Sequence, residues 1–440
     1  PTRAMKGHNW TANYIDFNLA PQEYGAIHFH DDDLDDARWD VSFEFQVPAD
    51  LTSGVYAARL AEGDSEDYVP FFVRPRRGAS LSKILFLVPT NSYLAYANNH
   101  MYDRITNNLI EWPGPVSSQD KFIEENHLNS TYDVHTDGSE VFYSSSRRPN
   151  LTMRPKYNFS FPNLGRGGPW QFNGDLHLVD WLDEQGYDYD VATDEDLQLE
   201  GVDLLKPYNV VVTGSHPEYW SGQGLDAMET YLTGGGRLMY LGGNGFYSVV
   251  SFPPDSMHCM EMRRMAGPPL GQGELGEFYH SFTGEPGVNW RARGRPEYKL
   301  IGVGFSGIGF DKSLPYRRAE GSYGPRAAFI FEGIGKDEVI GDFGLKQGGA
   351  GGIEIDRADY NLGTPPHALI LATCTGFSDE YQVSPDDEVP FRAPTGGTQS
   401  PLVRGDLVYI EGSDSGGVFS VGSIAWCGSL SHNNYNNNVS

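Results

Sequence analysis

Apolar and polar positions follow two different rhythms along this chain, and the change falls near residue 78. Before it the pattern alternates. In WDVSFEFQVP (39–48) every second position is apolar, and GVYAARL (54–60) and YVPFFVRP (68–75) follow, with Gly, Asp and Pro between the runs. A period of two marks strands with one buried face. Residues 1–78 are therefore expected to form a small β-sandwich of the immunoglobulin-like kind, with RRGASLS (76–82) as a linker.

After residue 78 strands and helices alternate. KILFLVP (83–89) is a continuous apolar run, the mark of a strand buried on both faces. DLHLVDWLDEQG (175–186) puts Leu176, Val179 and Leu182 on one helical face and closes on Gly186. YDYDVATDEDL (187–197), YNVVVTG (208–214) and RLMYLGGNG (237–245) supply further strands. QGLDAMETYLTGGG (223–236) predicts a helix with Leu225, Met228, Tyr231 and Leu232 inward. Repeated strand–helix units specify an α/β fold, a parallel sheet wrapped by helices, over residues 79–440. Beyond about residue 255 the pattern turns strand-rich and irregular; KLIGVGF (299–305), AAFIFEG (327–333), HALILATC (367–374) and GVFSVGSIAW (417–426) are expected strands.

Composition narrows the partners. With 59 acidic against 32 basic residues in 440, the formal charge is -27. Such a surface repels phosphate backbones and anionic lipid, which argues against nucleic acid and membrane surfaces. No apolar run approaches the ~18 residues of a membrane helix. Cys259, Cys374 and Cys427 are odd in number and far apart, which points to a reducing, cytoplasmic setting. The chain opens on Pro1 with no leader-type segment, and is read as a processed or truncated piece.

In an open parallel sheet, ligands bind at the carboxyl ends of the strands. In GSHPEYW (214–220) Pro217 keeps the chain extended, so His216 and Glu218 project to one side. An imidazole beside a carboxylate suits metal ligation or acid–base work. The competing reading is local: Glu218 caps the next helix. In LGGNGFY (241–247) the turn carries Asn244, whose amide can hold a carbonyl or an oxyanion; equally, Asn tolerates the positive φ of a tight turn. SYLAYANNH (92–100) and STYDVHTDGSEVFYSSS (130–146) are dense in tyrosine. Tyrosines mostly pack, but phenolates beside a carboxylate favour a hard cation such as Fe(III). In the second segment Asp137-Gly138 reads as a hairpin tip. Glu354 in GGIEID (351–356) sits in an apolar setting that should raise its pKa, as a general base needs. GVGFSG (302–307) is not followed by a helix, which argues against a dinucleotide site. HFHDDDLDD (28–36) lacks the spacing of an EF-hand and reads as a solvated turn.

Taken together, GSHPEYWS, GGGRLMYLGGNGFY, YDVHTDGSEVFYSS, LHLVDWL and VFSVGSIAWCGSLSHN resemble the N,N-dimethylformamidase large (beta) subunit family, and the similarity runs the length of the chain. The resemblance implies an α/β domain like that of class I glutamine amidotransferases, preceded by β domains. It implies a mononuclear non-haem iron held by two tyrosines and a glutamate, and hydrolysis of N-substituted formamides to formate and an amine. A small helical subunit and a hetero-oligomer are implied as well. Carried over by motif, Glu218 is the carboxylate ligand and Tyr96 one phenolate. The second falls on Tyr132 or Tyr143, with Tyr132 preferred. His216, Asn244 and Glu354 match polar active-site positions, and Phe246 or Phe391 could line a pocket for N-methyl groups. The family's large subunit has an additional N-terminal β domain and continues beyond NNYNNNVS. Two other classes compete: a non-catalytic carbohydrate- or protein-binding module of the same fold, and a hydrolase using Cys374 as nucleophile.

Overall fold

The computed structural model describes residues 2–440 apart from 15, 17, 30–32, 101–116, 136–139, 161–166, 264–278 and 388–394. The expected hairpin tip at Asp137-Gly138 and the pocket candidate Phe391 lie outside the described residues.

The centre of the molecule is a nine-stranded sheet. Five of its strands are parallel, in the order Tyr189–Thr193, Ile84–Val88, Val210–Thr213, Arg237–Tyr240, Gly417–Ser420. Leu85 and Leu87 pack on one side of the sheet with Val211, Leu225, Met228 and Tyr231. Phe86 and Val88 pack on the other with Val212, Leu178 and Leu182. The continuous apolar run at 84–88 is thus read correctly as a strand buried on both faces, because helices Gly222–Thr233 and Phe172–Glu184 cover opposite sides. Four antiparallel strands, Gly405–Glu411, Leu369–Cys374, Tyr316–Arg318 and Val339–Ile340, extend the sheet beyond Gly417–Ser420, so it is mixed rather than wholly parallel.

Numbered along the chain, the parallel strands lie in the order 2-1-3-4-5. That winding reverses between Ile84–Val88 and Val210–Thr213. The connections leaving those two strands diverge to opposite faces, and it is at the carboxyl ends beside such a reversal that open α/β sheets bind their ligands. Residues 89–96 and 214–218 begin there.

Three expectations on local structure are corrected. Residues 39–48 make no ladder, and Trp39, Val41, Phe43, Phe45 and Val47 are exposed, Trp39 by 75%. A period of two identifies a face but supplies no partner for it. The strand expected at 299–305 is a short helix, Glu297–Ile301, that stops at Gly302 with φ 79°, and the strand begins only at Gly304. The strand expected at 327–333 is a single 3-10 turn, Ala328–Phe331. Short apolar runs do not distinguish a strand from a buried helical turn.

Among the described residues of 1–78 two separate ladders form, Thr2–Lys6 with Tyr24–Phe29, and the hairpin Gly54–Glu62 with Ser65–Val73. The hairpin docks at the edge strand of the main sheet: Val191 N donates to Ser53 Oγ at 2.8 Å, and Arg74 pairs with Asp196 and Glu200. The acidic turn near residue 33 is also docked, through Asp35 to His258 Nε2 at 3.2 Å and Asp33 to His135 Nε2 at 3.6 Å. No helix among the described residues is long and apolar enough to cross a membrane.

Candidate active site

Two tight turns and one helix end bring the candidate residues together. Thr90–Ala95 follows the first strand through Pro89 and ends with Tyr96 at its C-cap. Thr131 Oγ1 donates to Ala95 O at 2.7 Å, which ties the loop carrying Tyr132 to that helix end. The rings of Tyr96 and Tyr132 then stack with centroids 4.5 Å apart.

The third strand leads into Gly214, and Ser215 N donates to the buried Asp175 carboxylate at 2.6 Å. His216 and Glu218 project together, as the extended geometry predicts, with His216 Nε2 3.1 Å from Glu218 Oε2. Tyr96 Oη donates to the same Glu218 oxygen at 2.9 Å and lies 3.2 Å from His216 Nε2. Ser248 Oγ donates to the other oxygen, Oε1, at 3.1 Å. Glu218 does not cap the following helix. Ser221 does, accepting from Gly224 N.

Asn244 adopts φ 46°, the left-handed turn its residue type tolerates. Its N–H donates to Asp356 Oδ1 at 2.8 Å, while Tyr240 Oη donates to Asp356 Oδ2 at 2.7 Å. Burial lifts the Asp356 carboxyl to about 7 even though both bonds oppose it. Gly243 fits this turn because it has no side chain. A Cβ there would lie 2.3 Å from Glu354 O and 2.8 Å from Ile424 N. Both are backbone atoms that cannot step aside, so Gly243→Ala is expected to cost about 3 kcal/mol in chemical denaturation. Gly243 O also holds His216 Nδ1 at 2.9 Å, so the same variant displaces the imidazole.

Glu354 lies across from His216, its Oε2 3.7 Å from Nε2. Burial raises its carboxyl to about 7; His216 pulls it down and Glu218 pushes it up. The raised value expected from the apolar setting is therefore present. Burial alone would lower His216, but Glu354 and Glu218 outweigh it and hold the imidazole at about 9. Burial, then the Glu218 carboxylate, push the Tyr96 phenol well above its ordinary range. Glu354 Oε2 and Asn244 Oδ1 are buried with no hydrogen-bond partner. Buried oxygens of this kind beside clustered carboxylates mark a candidate site for a ligand or cation.

Tyr143 is drawn elsewhere. Its hydroxyl lies 2.5 Å from Ser281 Oγ and 3.2 Å from Arg263 Nη2, in a buried cluster around Glu261. Phe246 is core: it is 1% exposed and stacks on Trp220 at 4.1 Å. All three cysteines are buried and unpaired, and burial pushes the Cys374 thiol up to about 12, far from a reactive thiolate.

Sequence reasoning missed Asp356, Ser248, Trp170 and Tyr219. Asp356 had a usable signal, since it stands two residues after Glu354 on one strand and so shares its face. Trp170, whose ring lies 5.7 Å from that of His216, had none. Tyr219 Oη lies 2.5 Å from Tyr132 Oη.

Known proteins share this chain to different depths. A solved ThuA-like protein from Bacteroides uniformis is 12% identical, with a TM-score of 0.26, over 60% of this chain and 85% of that one. The N,N-dimethylformamidase beta subunits of Paracoccus aminophilus and an Alcaligenes species are 46% and 43% identical over the whole of this chain. The chain spans 58% of the length of each of these curated relatives. Residues 2–437 match the family model described as "N,N-dimethylformamidase beta subunit-like, C-terminal". A match of that extent, with identity sustained from end to end, makes this chain a member of the N,N-dimethylformamidase beta subunit-like family.

Proposed function

We propose that the protein is an iron-dependent amidohydrolase that converts N-substituted formamides, N,N-dimethylformamide among them, to formate and an amine. One observation carries the reading: Tyr96, Tyr132 and Glu218 gather at the switch point of the sheet with His216 and Glu354 beside them. The names of the relatives at 43–46% identity support the substrate class.

The donor set fits a hard trivalent ion. It consists of oxygens, and two phenolates with a carboxylate would balance the charge of Fe(III). Tyr96, Tyr132 and Glu218 would hold it. When bound, iron supplies a Lewis acid that polarises an amide carbonyl and makes water easier to deprotonate.

The remaining work belongs to the chain's own groups. Glu354 takes a proton from the attacking water and delivers it to the leaving nitrogen as the C–N bond breaks. A carboxyl at about 7 is available in both forms near neutrality, as this double role requires. His216, pinned through Nδ1 by Gly243 O, presents Nε2 as a fixed positive donor to the developing oxyanion. The Asn244 amide orients the carbonyl, on a turn that Asp356 holds from behind. A small amide offers little surface, so weak ground-state affinity is expected.

A small helical partner subunit, a hetero-oligomer and a cytoplasmic location belong to the same proposal. The beta-subunit names of the relatives support the partner, and three unpaired cysteines support the location. An amidotransferase-like winding is supported by the strand order, and a small β-sandwich domain over residues 1–78, docked on the main sheet, by the two ladders there. The test is elemental analysis of the full protein with its partner, coupled to formate release from a panel of amides. The expected result is about one iron per chain, in line with a single mononuclear site, and formate from N-methylated formamides. Iron-free protein that releases none would leave a binding module of the same fold.

A further inference from the structure

We propose that Tyr219 is a positioning residue for Tyr132: its hydroxyl holds the Tyr132 oxygen and sets how much charge that oxygen donates to a bound cation. The inference deepens the reading above and rests on it. The hydroxyls of Tyr132 and Tyr219 are 2.5 Å apart, a short contact even for two oxygens sharing a proton.

Tyr219 is built into the framework. Its side chain is 1% exposed. Its carbonyl accepts from Asn91 Nδ2 at 3.2 Å, and its strand, Tyr219–Trp220, pairs with Ser248–Val249. Its ring meets that of Tyr96 edge-on at 6.0 Å. Tyr132 is by contrast half-buried, on a turn rather than in a strand. A rigid hydroxyl thus reaches a less constrained one. Because Tyr219 follows Glu218 directly, one short segment, Glu218 and the strand that begins just after it, would place a ligand to the ion and a partner to a second ligand.

The chemistry decides which oxygen donates. As a ligand Tyr132 is a phenolate and has no proton, so the proton in the contact belongs to Tyr219. A hydroxyl donating to a phenolate makes a strong, charge-assisted bond. The bond withdraws electron density from the phenolate, which leaves the ion a stronger Lewis acid and fixes the plane of the Tyr132 ring. Partners of this kind commonly tune a metal as much as its ligands do.

Tyr219→Phe keeps the ring and deletes the donor. In the iron-loaded protein with its partner subunit, the phenolate-to-iron absorption band should move to longer wavelength, because an unrestrained phenolate gives up an electron more easily. Iron affinity or kcat should fall about tenfold. Tyr143→Phe, which alters the separate Glu261 cluster, should leave the band in place. A Tyr219→Phe band at the wild-type position with full iron overturns the inference and leaves Tyr219 as packing. Wild-type protein with iron but no such band defeats the parent reading instead. If Tyr219→Phe does not fold, resonance Raman of the wild type in H2O and D2O decides. The C–O stretch of one phenolate should shift on exchange, and no shift counts against the bond.

Discussion

Replacement of Glu218 by alanine is expected to strip the protein of iron and to lower formate release by about 10³-fold or more, since a Lewis acid contributes several kcal/mol to such a reaction. Glu218 is the one carboxylate in the proposed ligand set. It also accepts from Tyr96 Oη and Ser248 Oγ and sits against His216. Its loss removes a negative charge that helps to keep His216 at about 9, so the imidazole becomes easier to deprotonate as well. Glu218→Gln keeps the shape and most of the hydrogen bonding but not the charge, and should fail on iron content while folding normally. Metal analysis alongside the amide assay reads both effects. A Glu218→Ala protein with full iron and full turnover would end the proposal.

Glu354→Gln should do the opposite on metal and a comparable amount on rate. Iron should stay, because Glu354 lies outside the proposed ligand set, while kcat should drop by about 10²- to 10⁴-fold, the usual range for a lost general base. The pH profile gives the sharper signature. Wild-type activity should rise as pH climbs through about 7, where Glu354 loses its proton, and the variant should lack that limb. Stability has a sign too. A carboxyl raised by folding favours the protonated native state, so its contribution is complete below the ordinary value of about 4.5 and is lost as pH rises through about 7. Denaturant titrations of metal-free protein at pH 5 and pH 8 should therefore converge in Glu354→Gln relative to wild type.

The central sheet was legible because burial on both faces leaves a plain mark. Ile84–Val88 is an unbroken apolar run and Val210–Thr213 carries three valines in a row, and both fall where expected. His216 and Glu218 were legible for another local reason, since an extended pair two residues apart must share a side. Which of Tyr132 and Tyr143 stands beside Tyr96 was not legible. Tyr132 and Tyr143 lie on one sequence segment with similar surroundings, and the chain's own bonds separate them: Thr131 to Ala95 draws one toward Tyr96, and Arg263 with Ser281 draws the other away. Nor was the failure of 39–48 to pair, because ladder formation depends on an edge that the segment itself does not carry.

By itself, then, the sequence determined what each short segment can be: which runs are buried, where the turns must fall, and which residue types stand at strand ends. Those properties follow from side-chain transfer energies and backbone sterics, which act over a few residues. The tertiary structure alone decided which distant groups meet. Glu354 joins Glu218 across 136 positions of chain, Asp356 reaches Asn244, and Tyr219 reaches Tyr132. The shifted pKa values of these groups arise only then, because desolvation and charge–charge coupling exist only once those groups share a dry interior.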